Sequence, residues 1–132
     1  MSKQKLRRIT INNLVYLWKR GHYHLKEFQY STCADRLVVY LEDYKQSPLI
    51  LHFRLEDNQL SSNHLKDGDW FMESGCLIRK DRVISLNRPA VISKLISYYL
   101  RQEWQPATDK KALEIFDALL LLDHLELPEA VS

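Results

Sequence analysis

The sequence predicts an α+β fold, in which an antiparallel sheet of five or six strands is followed by two C-terminal helices packed on one face of that sheet. Short segments of alternating apolar and polar residues lie within residues 6–86, and the apolar spacing changes to that of a helix from residue 87 onward. Strands followed by helices are typical of this class. The 132 residues fit a single domain that spans 1–132.

The first two strands are predicted to form a hairpin. Residues 6–12 alternate with a period of two, which is typical of a half-buried strand. Asn12 and Asn13 follow, and asparagine tolerates the left-handed backbone that a tight hairpin turn requires. Residues 14–24 are rich in aromatic residues and are predicted to be the returning strand.

The clearest of the later strands begins after Pro48. Leu49, Leu51 and Phe53 face one side of it, and the residues between them face the other. Residues 56–69 are polar and aperiodic, so they are predicted to form a long loop, which is unusual in a compact domain. The other strands are predicted at residues 36–41, 70–72, 76–79 and 82–86, the last two as a hairpin.

Two helices are predicted after residue 86. For the first, Asn87 is the expected N-terminal cap and Pro89 lies in the first turn. For the second, Thr108 is the expected cap and Pro128 closes the helix. The apolar stripes that predict them are Ile92, Leu95, Ile96, Tyr99 and Leu100 in the first, and Ala112, Ile115, Phe116, Leu119, Leu120 and Leu122 in the second.

The net charge of +2 conceals a gradient along the chain. Residues 1–26 carry seven basic residues and no acid, whereas residues 103–132 carry seven acids against two lysines. One interpretation is that the charges of the two ends compensate each other, with the acidic final helix near the basic first hairpin. The other is that the basic start binds nucleic acid, an acidic partner or a membrane surface.

The composition favours a soluble protein of the cytoplasm. Hydrophobic residues make up 45% of the chain and charged residues 27%, which is the balance of a globular domain. Cys33 and Cys76 are too few for a disulfide framework and suit a reducing compartment. No apolar run approaches the length of a membrane span, and the basic N-terminus leads into an alternating segment, not a signal peptide.

No motif of a common enzyme class is present, so the sequence predicts a protein that is not an enzyme and needs no cofactor. The three glycines are isolated, and the sequence contains no phosphate loop, nucleophile elbow or paired-cysteine motif. His22 and His24 share one strand face, and Cys33 or His52 could complete a metal site with them. Closed zinc sites usually draw paired ligands from two loops, so structural histidines are the favoured interpretation and no metal site is predicted.

The aromatic residues around the first hairpin have three possible roles. They lie near Lys19, Arg20 and Lys26, as on a stacking platform for single-stranded nucleic acid. They could equally form the core or an interface with a protein, because interfaces favour aromatic and arginine side chains. The aromatic residues concerned are Tyr16, Trp18, Tyr23, Phe28 and Tyr30.

Residues 8–18 and 85–106 resemble a family of small uncharacterised bacterial α+β proteins. In that family an opening pair of strands ends in tryptophan, and a helix that starts at proline ends in Gly-Trp-x-Pro. Glu103 stands where the family has the glycine, and Trp104 and Pro106 match the rest of that motif. The resemblance covers about a third of the chain, and its motifs mark the fold. It implies a bacterial origin and carries over no activity, ligand or catalytic residue.

The leading hypothesis is a non-enzymatic, cytoplasmic protein-binding module, and its specific form is an immunity protein that neutralises a bacterial toxin or effector. The candidate anchors for the partner are Trp18, Tyr23, Arg54 and Trp70. The alternative is a small nucleic-acid-binding domain that uses the basic N-terminal hairpin. Its candidate contacts are Arg7, Arg8, Lys19 and Arg20.

Overall fold

The strands of the protein form two sheets. The computed structural model describes residues 6–24, 33–53, 71–73, 76–79 and 82–116, together with residues 118, 121, 125 and 127. The elements in chain order are β1 Arg7–Ile11, β2 Leu14–His24, β3 Cys33–Leu41, β4 Leu49–Phe53, β5 Phe71–Glu73, β6 Cys76–Arg79, β7 Arg82–Ser85, helix α1 Pro89–Gln102 and β8 Leu113–Ile115.

The larger sheet has five strands in the order β1-β2-β3-β4-β8, and β5, β6 and β7 form a small antiparallel sheet. Within the larger sheet, β1 pairs with β2, β2 with β3 and β3 with β4, all antiparallel. The last strand, β8, pairs with β4 in parallel, so the larger sheet is mixed. A parallel neighbour requires a crossover connection, and the segment that contains α1 lies between β4 and β8 in the chain.

The predicted first hairpin is confirmed. Ile11 pairs with Leu14, and the two turn residues Asn12 and Asn13 have φ angles of 52° and 68°. A two-residue hairpin turn requires a positive φ angle at both residues, because only then does the twist of the turn match that of the flanking strands. Asparagine pays little for that backbone conformation, which explains why the chain turns at this point.

Helix α1 begins at Pro89, as predicted, but its N-terminal cap is not Asn87. The cap residue is Arg88, and no side chain caps the helix. The amide oxygen of Asn87 instead accepts a hydrogen bond from Nε of Arg20, at 3.2 Å. Four residues of the predicted apolar stripe are buried, namely Ile92, Leu95, Ile96 and Tyr99. Leu100 is only half-buried, and Val91 is buried in addition.

One face of the large sheet, here the inner face, packs into a single apolar core with α1. Alternation along each strand places every second side chain on this face. The residues it buries are Ile11, Tyr16, Trp18, Leu37, Val39, Leu41, Leu49, Leu51 and Phe53. Burial of each large apolar side chain stabilises the fold by roughly 1.5–3 kcal/mol, so this face and α1 hold the sheet together.

The predicted architecture of an antiparallel sheet followed by two C-terminal helices is wrong. The structure is mainly sheet, its larger sheet is mixed, and α1 is the one α-helix within the described part of the chain. The segment predicted as a second helix contributes β8 instead. The expected acidic final helix beside the first hairpin is therefore not formed by the residues that the structure describes.

Hydrogen bonds between residues that are far apart in the sequence explain why the chain forms β8 here. The indole Nε1 of Trp104 donates to the carbonyl of Ser47 at 3.0 Å, and Oγ of Ser47 donates to the carbonyl of Pro106 at 2.6 Å. The amide of Leu113 then donates to the carbonyl of Pro48 at 2.9 Å. These bonds hold the chain after α1 against the start of β4, where strand pairing satisfies its backbone groups.

Thr108 also lacks the role predicted for it. Its hydroxyl donates to the carbonyl of Gln105, three residues earlier, at 3.4 Å. Asp109 accepts a hydrogen bond from the amide of Gln105 at 3.0 Å. The two side chains therefore stabilise a turn before β8, because each bonds backwards to Gln105.

The described part of the chain contains no helix that is long and apolar enough to cross a bilayer.

Candidate functional site

The face of the large sheet opposite the core, here the outer face, is more apolar than a solvated face usually is. Antiparallel sheets with one solvated side normally alternate apolar and polar residues cleanly. The outer face instead carries a cluster of half-buried apolar side chains in its centre. That cluster consists of Val15, Leu17, Val38, Tyr40 and Ile50.

At one end of the outer face, three polar side chains form a chain of hydrogen bonds, here the outer-face relay. Nε2 of His52 lies 2.6 Å from Oε2 of Glu114, and Nδ1 of His52 lies 3.0 Å from the hydroxyl of Tyr23. Because a carboxylate only accepts, Nε2 carries the proton in the neutral imidazole, and Nδ1 accepts from the tyrosine. The relay joins β2, β4 and β8 across the sheet.

An exposed aromatic ring covers the relay. The ring of Phe116 stacks on the imidazole of His52, with centroids 4.6 Å apart and an angle of 7° between the planes. Phe116 is nevertheless 54% exposed, the most exposed of the large hydrophobic residues in the described part of the chain. One ring face is therefore held by His52, while much of the side chain remains available to a further contact.

Gly21 leaves an open position in the outer face beside Tyr23. A Cβ atom added at Gly21 would have no heavy atom within 4 Å. Gly21 pairs with Arg36 on β3, and Lys19 precedes it by two residues on the same face. The position is thus open space on the outer face, here called the gap at Gly21, and its neighbours in the strand register are Tyr23, Lys19 and Arg36.

Some charged side chains of the outer face already form ion pairs, and others do not. Arg8 forms an ion pair with Glu42 at 3.1 Å, and Glu114 is engaged by His52. Lys19 and Arg36 are exposed and form no ion pair with any residue that the structure describes. The uncommitted charge around the gap at Gly21 is therefore positive.

Of the four predicted partner anchors, the structure describes Trp18 and Tyr23, and these two lie on opposite faces of β2. The prediction of Trp18 as a surface anchor is wrong. Its side chain is only 2% exposed, because the indole lies on the inner face of β2 and packs in the core. Tyr23 lies half-buried on the outer face, in the relay. Arg54 and Trp70 lie outside the described residues.

The four basic residues predicted for nucleic acid do not form one patch. The register places Arg7 and Arg20 on the side of Trp18, and Arg8 and Lys19 on the outer face. The guanidinium of Arg7 lies 5.1 Å from the centre of the Trp18 ring, a cation–π contact. Strand alternation thus divides the four charges between the two faces, which weakens the electrostatic case for a polyanion.

A second polar cluster, here the inner-edge cluster, lies on the inner face where β2 and β3 begin to leave the core. Its centre is Asp35, whose side chain is fully buried. Oδ1 of Asp35 accepts from Nδ1 of His22 at 2.8 Å and pairs with Arg20 at 3.3 Å. Among the side chains that the structure describes, no group of three or more His, Cys, Asp or Glu could hold a metal ion.

Sequence reasoning missed most of the outer-face site. The alternation in β4 placed His52 opposite the core correctly, which was the one available signal for the relay. Glu114 and Phe116 lay inside a predicted helix, so nothing local indicated that they flank His52. Comparison of the chain with protein-family models, with curated proteins and with solved structures finds no match.

Proposed function

We propose that this chain is a non-enzymatic protein-binding module whose outer face docks a partner protein. The observation that carries the proposal is Phe116, an exposed aromatic ring whose position is fixed by stacking on a buried histidine. An anchor that is already ordered loses little conformational entropy on binding, which is typical of the residues that contribute most to an interface.

The chemistry of the outer face defines the partner. Its centre is apolar, and Lys19 and Arg36 beside the gap at Gly21 have no acidic counterpart among the described residues. A complementary protein would present an apolar side chain to the gap and carboxylates to the two cations. We therefore expect an acidic rim around an apolar patch on the partner.

The relay supports a structural role better than a catalytic one. Both ring nitrogens of His52 are engaged, one by Tyr23 and one by Glu114, so neither is offered to a substrate. A general base needs a nitrogen within reach of the proton it abstracts. The relay instead fixes the ring on which Phe116 stacks.

A bacterial toxin or effector is the first partner class to test. This choice rests on the resemblance of residues 8–18 and 85–106 to small bacterial proteins, and on the chain's size. A rigid face of standard interface area is sufficient to block a toxin. We also propose a cytoplasmic location, because two cysteines are too few for a disulfide framework and the free Cys76 suits a reducing compartment.

The test compares two exposed aromatic residues at opposite ends of the sheet. Tagged wild-type protein, Phe116→Ala and Tyr44→Ala are used to capture proteins from native lysate after nuclease treatment, at low and high salt. Tyr44 is 37% exposed and lies in the turn between β3 and β4, away from the relay. It is therefore a matched control for the loss of an exposed ring.

We expect one protein to be retained in stoichiometric amount by wild type and by Tyr44→Ala, and to be lost with Phe116→Ala. Equal retention by all three forms would move the interface away from the outer face. Loss of all captured material on nuclease treatment would contradict the proposal and favour nucleic acid as the partner.

A further inference from the structure

The larger sheet ends in two edge strands of different length. The order β1-β2-β3-β4-β8 leaves one side of β1 and one side of β8 without a neighbouring strand among the residues that the structure describes. β8 has three residues, whereas β1 has five. An edge strand presents a row of backbone N–H and C=O groups with which another strand can pair. Of the two edges, β1 is therefore the one that offers more of these groups.

The hairpin turn fixes which backbone groups of β1 face outward. Ile11 and Leu14 flank the two-residue turn, so they exchange backbone hydrogen bonds with each other. Bonded and non-bonded pairs alternate along an antiparallel ladder, so the N–H and C=O groups of Arg8 and Thr10 point away from β2. Both residues are exposed, and no backbone bond outside the sheet engages either of them in the described part of the chain. These outward groups are therefore open to a further strand.

β1 lacks the features that usually protect an edge strand from pairing. It contains no proline or lysine, and its five residues pair with β2 in unbroken register, so no bulge twists it away. Its two arginines are both engaged by other groups of the same chain. Arg7 lies over the ring of Trp18 and donates to the carbonyl of Asn87 at 3.3 Å. Arg8 forms its ion pair with Glu42 at 3.1 Å, so its charge is neutralised beside the edge.

The sequence of β1 is complementary to itself in one antiparallel register. When Ile9 lies opposite Ile9 of a second copy, Arg8 of each copy lies opposite Thr10 of the other. Arg8 and Thr10 then exchange both of their outward backbone hydrogen bonds, and the two isoleucines form a non-hydrogen-bonded pair, in which side chains lie closest. A shift of two residues in one direction would set Arg8 opposite Arg8, and like charges in that position repel. A shift in the other direction would set Arg8 opposite Asn12, which belongs to the turn.

We propose that the protein forms a two-fold homodimer in which β1 pairs antiparallel with β1 of a second copy, centred on Ile9. The two larger sheets then become one continuous sheet, and the outward backbone groups of both edges are satisfied. Ile9 is half-buried against the core of its own copy and gains apolar contact with Ile9 of the other. The ion pair of Arg8 with Glu42 in each copy allows two identical edges to meet without repulsion. The dimer does not depend on the proposed function, because pairing at the edge leaves the outer face open.

The first experiment measures the molar mass of the full chain in solution by light scattering, at micromolar and near-millimolar concentrations. Wild type should reach twice the mass of one chain as the concentration rises. Thr10→Pro removes an outward N–H group and leaves the pairing with β2 intact, because proline is accepted at an edge position whose nitrogen faces solvent. We expect it to weaken dimerisation by about tenfold or more.

Thr10→Val is the matched control for that substitution. It keeps the outward N–H group and a β-branched side chain, so it should dimerise as wild type does. A wild-type protein that stays monomeric at the highest concentration would overturn the proposal. Thr10→Pro that dimerises as tightly as Thr10→Val would do the same.

A second readout reports the register and does not depend on whether Thr10→Pro folds. Ile9→Cys places a thiol at the two-fold axis, where the opposed Cα atoms are about 4.5 Å apart, within the range that a disulfide spans. Mild oxidation should join the two copies at this position, as located by peptide mass mapping. Thr10→Cys is the control: position 10 faces position 8 of the other copy, so its own disulfide should form about tenfold more slowly or less. Equal rates at the two positions, or no cross-link in Ile9→Cys, would contradict the pairing.

Discussion

Tyr23 on β2 reaches across β3 and donates its hydroxyl to Nδ1 of His52 on β4, with 3.0 Å between the two atoms. The crossing is possible because the residue of β3 that pairs with Tyr23 is Ala34, whose methyl side chain is fully buried. A larger side chain there would occupy the path of the tyrosine ring. The bond therefore links two strands that are not neighbours in the sheet.

Removal of this hydroxyl should destabilise the fold. Tyr23→Phe leaves Nδ1 of the buried His52 without its donor, and an unsatisfied buried polar group costs about 1–3 kcal/mol. We expect the free energy of unfolding, measured in urea, to fall by roughly 1–2 kcal/mol. Tyr40→Phe is the control: Tyr40 lies half-buried on the same face, its hydroxyl has no partner among the described residues, and the change should be within about 0.5 kcal/mol. Equal losses in both variants would contradict the relay.

The contacts of Trp104, just before the turn that leads to β8, give a prediction about stability. Trp104 is fully buried, packs on Tyr16 and donates to the carbonyl of Ser47. Trp104→Phe removes that hydrogen bond and leaves a cavity, so the free energy of unfolding should fall by roughly 2–3 kcal/mol.

Thr108→Ala is the matched comparison. A helix capped by Thr108 would lose about 0.5–2 kcal/mol on this substitution. In the structure, its hydroxyl only bonds back to Gln105 at an exposed turn, so the change should be within about 0.5 kcal/mol. A loss above about 1 kcal/mol in Thr108→Ala would revive the helix.

These contrasts show how far sequence alone can predict the fold. The strands β1 to β4 were predictable because their alternation over five or more residues is strong and local, as in Leu49, Leu51 and Phe53. The stretch Leu113–Ile115 that forms β8 was not, since three strand residues fit helical and strand spacing equally well. Its state is decided by Trp104 and Ser47, which are 57 residues apart. Tertiary contacts of that range leave no local trace.

The outer-face site was predictable only in part, for a related reason. Tyr23 was singled out as an aromatic residue on β2, and its partner His52 was placed on the correct side of β4. Their contact depends on the register between β2, β3 and β4. Glu114 joins them only because β8 is a strand, so an error in that element concealed the third member of the relay.

Gly21 gives a prediction that separates binding from stability. Gly21→Val adds a side chain where a Cβ would meet nothing within 4 Å, and valine favours strands. The free energy of unfolding should be unchanged or slightly raised, since glycine weakens a strand interior. Capture of the partner should nevertheless fall by about tenfold or more, because the branched side chain fills the gap on the outer face. Gly21→Ala, with one methyl, should give a smaller loss. Unchanged capture by Gly21→Val would exclude the gap from the interface.

The ionisation of Tyr16 gives a prediction about alkaline pH. Burial raises the pKa of the Tyr16 phenol above its ordinary value of 10.0. The folded state therefore retains the proton at a pH where the unfolded state loses it, so this group's contribution to stability is complete below about pH 10 and is lost as the pH rises through the folded pKa. We expect the free energy of unfolding of wild type to fall more steeply above pH 10 than that of Tyr16→Phe, which has no phenol to ionise at this position. Urea unfolding across the alkaline range measures both slopes. Tyr44→Phe, which removes an exposed phenol, should keep the wild-type slope, and an identical slope in Tyr16→Phe would show that burial of Tyr16 is not the cause.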